Sequence, residues 1–301
     1  IASSTPLTVA LPSILLKKIK NAKMVFEVRD LWPQLPIAIG AIKSSLLIKL
    51  ARWLEKVTYK NSDHIICLSP GMKSELSSIV TSNNKITVVT NLSDILKFQN
   101  YNDKKFEIDL PINKGKHMVL YAGSFGRING LLYLVEIANA VNRINKNICF
   151  LLVGNGHDKE KIINKSKEYD IFNNSLFCID YISKDKIPEL FNRATIATSI
   201  FLDIPEMENN SANKFFDALA AGKPIMINYG GWQADLLQKT GCGFRIPSND
   251  SKHAAKILDN MINDKVKLKQ MSESSIILGK EFSVENNYQK FEKVIDQVIC
   301  S

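Results

Sequence analysis

Residues 209–224 read NNSANKFFDALAAGKP, an oxygen-rich entry, a short apolar-faced helix and a sharp stop. Ser211 or Asn210 is placed to cap that helix, because a side-chain oxygen there accepts hydrogen bonds from orphan N–H groups of the first turn. Gly222 and Pro224 end it, since glycine tolerates a left-handed cap and proline cannot continue a helix. Asn210, Asn213, Lys214 and Asp217 share one face at helical spacing. Phe215, Ala218, Leu219 and Ala221 lie mostly elsewhere and are available for burial. IMINY (225–229) follows as a buried strand. An amide, a cation and a carboxylate on one face of a helix start suit a polyhydroxylated, anionic ligand. A capped surface helix is the plainer alternative.

Outward from this stretch, the second half of the chain alternates short apolar runs with helical segments. MVLYA (118–122), CFLLV (149–153), LFCI (176–179), IATSI (196–200) and residues 242–246 read as strands. Helices are expected from Gly130, near Asp158, over 185–193 and over 232–238. Such alternation implies a parallel sheet covered on both faces. The first half repeats the pattern less cleanly: a helix over 9–20, strands KMVFEV (23–28), HIICL (64–68) and ITVVT (86–90), and a helix from Pro70. RDLWPQLP (29–36) reads as a loop. Residues 44–60 form a strongly periodic helix, with Leu47, Leu50, Ala51, Leu54 and Val57 at helical spacing. From 91 to 116 periodicity fails, which places a hinge there. The expected division is 1–98 as a partial first domain, 99–116 as hinge, 117–283 as a second domain and 284–301 as a helix crossing back.

The composition is that of a globular α/β protein: 45% hydrophobic and 23% charged, with 39 Lys and Arg against 30 Asp and Glu. The excess of nine positive charges suits phosphate-bearing ligands or an anionic membrane surface, and equally a lysine-rich proteome. No basic run interleaved with aromatics points to nucleic acid. The five cysteines are scattered, without a CxxC, and read as buried thiols in a reducing compartment. The histidines do not cluster, and no Asp-x-Asp occurs, so no metal site is expected. No apolar run reaches the length of a membrane span. The chain opens on Ile1, with IASSTP reading as a strand end, and a missing N-terminal portion is expected.

In such sheets ligands bind beyond the carboxyl ends of the strands. GSFGRING (123–130) joins a strand to a helix. Its glycines allow close backbone approach to a phosphate, the helix start offers unpaired N–H groups, and Arg127 adds a cation. The spacing is not GxGxxG, and a structural turn is the alternative. Gly154 and Gly156 form a second glycine pair at a strand-to-helix turn. Three oxygen- or glycine-rich loops at equivalent ends of one sheet point to one site.

YAGSFGRINGL (121–131), FLLVGNG (150–156) and ENNSANKFFDALAAGKPI (208–225) together resemble the C-terminal half of the group 1 (family 4) retaining glycosyltransferases. That resemblance implies the GT-B fold, two facing Rossmann-like domains that bind a nucleotide sugar. FEVRDLWPQLP (26–36) and LSPGM (68–72) are similar to the subgroup that transfers amino sugars such as N-acetylfucosamine onto lipid-linked acceptors in surface polysaccharide assembly, O-antigen and capsule among them. The family carries two acids eight positions apart. Asp217 falls at the second, which binds ribose. Asn209 falls at the first, which contacts the donor sugar, and Glu208 next to it is an alternative. The family's diphosphate-binding Arg and Lys align with Ser124 and Asn129, so both cations are lost there. Arg127 and Lys214 are the candidates that restore the charge. In the first domain, Arg29 and Asp30 occupy a loop near donor sugar and acceptor. The implied reaction needs no metal or cofactor and uses a nucleotide diphosphate sugar, UDP-linked by expectation, with a glycan or polyprenyl-diphosphate-linked acceptor. The implied location is cytoplasmic. The basic helix over 44–60 either lies on the inner face of the cytoplasmic membrane or simply packs on its sheet. A nucleotide-sugar 2-epimerase, or a nucleotide-binding protein without turnover, are the other readings.

Overall fold

The computed structural model describes residues 1–80, 82–99, 108, 110, 112 and 115–300. The expected hinge at 99–116 lies largely outside the described residues. By contacts the chain falls into two compact units. One comprises Ile1–Asn91, Ile204–Ser211 and Val284–Ser301, the other Leu92–Asp203 and Ala212–Ser283.

In the first unit, β1 (Ala2–Ser3), α1 (Ala10–Lys20), β2 (Val25–Val28), α2 (Gln34–Ala38), α3 (Ser45–Asn61), β3 (His64–Cys67), α4 (Pro70–Ser77) and β4 (Ile86–Val88) follow in order. The four strands pair in parallel in the order β1-β2-β3-β4. Phe26, Ile65, Cys67 and Leu76 are fully buried between sheet and helices. Ser69 starts α4 by accepting from Met72 N–H at 3.0 Å, with Pro70 in the first turn, where its missing donor costs nothing. The segment expected to be a loop contains α2. Its five residues are too few to show a helical period.

In the second unit, α5 (Ile95–Gln99) lies within the stretch where periodicity fails. Then come β5 (His117–Ala122), α6 (Leu131–Ile144), β6 (Ile148–Val153), α7 (Lys159–Glu168), β7 (Leu176–Ile179), α8 (Ile187–Arg193) and β8 (Ile196–Ser199). α9 (Asn213–Ala220), β9 (Ile225–Ile227), α10 (Trp232–Thr240), β10 (Gly243–Arg245), α11 (Ser251–Asn263) and α12 (Lys265–Glu281) complete it. The six strands are parallel, in the order β10-β9-β8-β5-β6-β7. The chain moves outward from β5 to β7 and then returns to β8 on the other side of β5. That reversal is a topological switch point, where neighbouring loops diverge and leave a crevice at the carboxyl edge. β6 is buried along its whole length, as a central parallel strand must be. α13 (Val284–Ile299) belongs to the first unit, where Val294 and Val298 pack with Val25, Ile66 and Val89.

α9 corrects one expectation. Ala212 is its N-cap, and neither Ser211 nor Asn210 caps it with a side chain. Residues 205–209 form a 3-10 turn that ends in extended Asn210, so position 210 lies off the helix and its amide donates to the Met207 carbonyl. The shared polar face is therefore Asn213, Lys214 and Asp217. Phe215, Phe216, Ala218 and Leu219 are buried, while Ala221 is half-buried. The stop follows expectation: Gly222 sits at φ +62°, and Lys223 N–H returns to the Ala218 carbonyl at 2.9 Å. All five thiols are free; Cys67, Cys149 and Cys242 are buried, but Cys178 is half-buried and Cys300 is exposed, at the end of an amphipathic helix that leaves it no core to enter.

Candidate active site

The loops that follow β5, β6 and β8 are tied into one construction. Phe125 N–H donates to the Asn155 carbonyl at 2.8 Å, and Asp158 N–H donates to the Phe125 carbonyl at 2.9 Å. Leu202 N–H donates to the Ile128 carbonyl at 2.9 Å. Gly130 lies at φ +57°, with the Phe201 carbonyl 2.9 Å from where a Cβ would stand, so only glycine fits. Asn228 holds the third loop from below: its Oδ1 accepts from Phe201 N–H at 3.0 Å, and its Nδ2 donates to the Phe201 carbonyl at 2.8 Å.

Lys214 reaches into this construction from the first turn of α9. Its Nζ donates to Asn129 Oδ1 at 3.3 Å and stands 5.2 Å and 5.3 Å from the ring centroids of Tyr121 and Phe201. Its Cε is 2.6 Å from the point where a Gly123 side chain would begin. Tyr121 lies in the last two residues of β5 and Phe201 follows β8, so the ammonium sits at the switch point itself. Among the described residues it forms no ion pair with a carboxylate. Burial draws its pKa down to about 8, against the pull of Asp217. A desolvated cation without a counter-ion is costly, and such groups concentrate where a ligand supplies the missing charge.

Asn129 is buried, and its amide donates to the Ser124 carbonyl at 3.0 Å and to Ser124 Oγ at 3.2 Å. It therefore shapes the loop and presents Oδ1 to Lys214. Arg127 points elsewhere: it is exposed, and its guanidinium lies 3.1 Å from His157 Nε2. Of the two candidate cations, Lys214 is the one beside Gly123 and Asn129. Asp217 lies one helical turn farther along α9. Burial raises its carboxyl to about 6, countered by Lys97 and Lys214. α9 thus carries two ionisable groups pushed in opposite directions from their ordinary values.

Gly123, Ser124, Asn129, Gly130, Gly154, Gly156 and Lys214 come together within the second unit. Arg29, Asp30, Glu208 and Asn209 belong to the first. There, Arg29 N–H donates to Ser4 Oγ at 3.0 Å and Asp30 accepts from Thr5 Oγ1 at 3.1 Å, beyond the end of β2. The Asn209 carbonyl accepts from Ser69 Oγ at 2.6 Å, and its side chain lies over the bare Cα of Gly71 at the start of α4. β2 and β3 are parallel neighbours, so both groups stand at the same edge of that sheet. Glu208 is exposed. Sequence reasoning missed Tyr121, Phe201 and Asn228. The aromatics are indistinguishable from core in an apolar strand; Asn228, a lone amide within IMINY, was a signal that was available.

The profile of the glycosyl transferases group 1 matches residues 102–276, more than half of the chain. The chain belongs to the group 1 glycosyl transferases. Known structures agree on the fold of this group 1 glycosyl transferase, which is of the GT-B type. Anabaena Alr3699/HepE in complex with UDP superposes with a TM-score of 0.77 at 14% identity, over 98% of this chain and 78% of that one. Sucrose-phosphate synthase from Thermosynechococcus elongatus gives 0.77 at 15% identity, covering 99% and 73%. WaaG, a glycosyltransferase involved in lipopolysaccharide biosynthesis, gives 0.73 at 14% identity, covering 99% and 85%. No curated protein sequence matches the chain significantly.

Proposed function

We propose that this group 1 glycosyl transferase moves a sugar from a nucleotide diphosphate donor, with retention, to a glycan or lipid-linked acceptor. The observation that carries it is the half-buried Lys214 ammonium at the β5–β8 switch point, which pairs with no carboxylate among the described residues. A diphosphate placed over Gly123 would supply the anion that Lys214 lacks, and a cation fixed before the reaction stabilises the charge that develops on the departing diphosphate. Asp217, one turn away, accepts hydrogen bonds from the ribose hydroxyls. Arg127 with His157 lies at the outer rim, where it meets the donor's exposed phosphate oxygens. UDP in the HepE structure supports a uridine donor. The similarity of residues 26–36 and 68–72 to amino-sugar transferases supports an acetamido sugar and a polyprenyl-diphosphate-linked acceptor in surface polysaccharide synthesis. Arg29, Asp30, Asn209 and Glu208 serve the sugar and acceptor end.

The test is a screen of nucleotide diphosphate sugars for thermal stabilisation. One donor should raise Tm, and Asp217→Ala should lower its affinity roughly 100-fold or more, as expected for two lost hydrogen bonds to a charged acceptor. No stabilisation by any donor, or an undiminished response in the variant, would overturn the site.

The two displaced groups also set a pH dependence. Lys214 is cationic below about 8, and Asp217 is ionised above about 6. Donor affinity is therefore expected to be greatest between these values and to fall on either side. Lys214→Met should flatten the alkaline limb and Asp217→Asn the acid limb, measured by titration calorimetry across pH.

A further inference from the structure

Within the second unit, a buried polar chain lies beside the loop that follows β8. β8 and β9 are parallel neighbours with Ser199 opposite Ile227, and Tyr229 stands two residues beyond that pair. Gly230 and Gly231 then turn the chain, Gly231 at φ +79°, so that Gln233 in the first turn of α10 comes back to Tyr229. The Tyr229 hydroxyl hydrogen-bonds to Gln233 Oε1 at 2.7 Å and to Ser199 Oγ at 3.1 Å. All three side chains are buried, and Gln233 Nε2 has no partner among the described residues. A phenylalanine would fill the same space without requiring Ser199 or Gln233, and an unpaired buried amide destabilises a core. Packing alone therefore does not account for these groups. What they fix is the placement of one ring, since a phenol bonded at its tip cannot swing to another rotamer.

That ring meets Phe201 edge to face, with centroids 5.1 Å apart and planes at 63°. Asn228 fixes the Phe201 backbone, but a phenyl side chain makes no hydrogen bond, so its rotamer is set by what packs around it. Phe201 in turn faces the Lys214 ammonium, 5.3 Å from its centroid and within the range of a cation–π contact. Contact thus passes from Ser199 and Gln233 to Tyr229, then to Phe201, then to Lys214. We infer that Tyr229 is a positioning residue: held by Ser199 and Gln233, it keeps Phe201 against Lys214 and so keeps the ammonium where a donor diphosphate meets it. The link from Tyr229 to Lys214 is independent of the proposed donor site; its consequence for donor binding rests on that reading.

NMR of the ligand-free chain with isotope-labelled lysine tests the link. The Lys214 signal is the one lost in Lys214→Met. Tyr229→Phe keeps the ring and removes the hydroxyl, so Phe201 should loosen and water should reach the ammonium. The Lys214 midpoint, drawn by burial to about 8, should then move up by roughly half a pH unit or more. Asp217 is the charged group acting on Lys214, and its carboxyl is raised only to about 6. The Tyr121 phenol beside it is held by burial far above its ordinary range, so neither titrates in this interval. Gln233→Met removes the acceptor together with the unpartnered amide and leaves Ser199 to hold the phenol. It should shift the midpoint the same way by less, and it carries the test if Tyr229→Phe does not fold. Calorimetry with UDP as the probe reads the consequence. Tyr229→Phe should weaken UDP binding roughly tenfold in the otherwise native chain, and less than ~2-fold where Lys214→Met is already present, because the two act through one contact. An unmoved Lys214 midpoint with a lowered Tm would show a merely structural network and overturn the inference, as would equal losses in the two backgrounds. A chain that shows the midpoint shift but binds no UDP would uphold the link and count against the donor reading alone.

Discussion

Lys214→Met is expected to lower kcat/KM by roughly 100- to 1,000-fold, about 3–4 kcal/mol of transition-state stabilisation, while making the ligand-free protein more stable. The two effects have one origin. The ammonium is held among Tyr121, Phe201 and Gly123 with no carboxylate paired to it among the described residues, a placement that costs the empty protein and serves a bound diphosphate. The sign follows from proton linkage. With its folded pKa drawn to about 8 from 10.5, Lys214 binds fewer protons folded than unfolded across that interval. Stability therefore rises with pH between the two values, and below them the charged lysine is a net cost. Methionine keeps the aliphatic stem and removes the charge, so a gain of about 1–2 kcal/mol is expected at neutral pH. In a domain of this size that is roughly 3–6 °C in Tm. Adding Asn129→Lys to Lys214→Met should recover part of the activity, because the new ammonium starts from the residue that Lys214 now touches. A variant with unchanged kcat/KM, or one that simply melts earlier, would show that Lys214 is structural.

Gly154→Ala should destabilise the second unit by about 3 kcal/mol and weaken donor binding more than tenfold. The glycine lies at φ +147°, and an added Cβ would stand 1.9 Å from the Gly123 carbonyl oxygen. That oxygen cannot retreat easily, because its loop is anchored through the Gly123–Val153 hydrogen bond on one side and the Phe125–Asn155 bond on the other. The clash is therefore relieved by moving residues 123–125, which displaces the floor under Lys214. Gly241→Ala is the control: it shares a left-handed φ of +69° but meets nothing within 4 Å. It should cost only about 1 kcal/mol of backbone strain and leave donor binding intact. Denaturant titration and calorimetry on both variants separate the clash from the conformational cost.

Much of this was legible in the chain. Every strand expected in the second half is present within one or two residues, because buried parallel strands read as short apolar runs with glycine or polar breaks. The glycine-bearing turns at 123–130 and 154–156 were visible as loops of one sheet, since each ends a strand. Misreadings arose where local pattern is ambiguous. α2 was too short for a period, and the α9 cap was misplaced because the 3-10 turn ahead of it is set by packing on α4, a contact distant in sequence.

Which lysine or arginine matters is a different kind of question. Arg127 and Lys214 were equal candidates by composition, and nothing in their spacing separates them. The strand reversal between β5 and β8 does, because it brings the end of one strand, the loop after another and the first turn of α9 around a single ammonium. From the sequence alone came the alternation of strands and helices, and hence the fold, since burial periodicity is a local property of the chain. The three-dimensional arrangement alone decided which charge is drawn in among aromatic rings and a loop amide, since that depends on residues 85 positions apart.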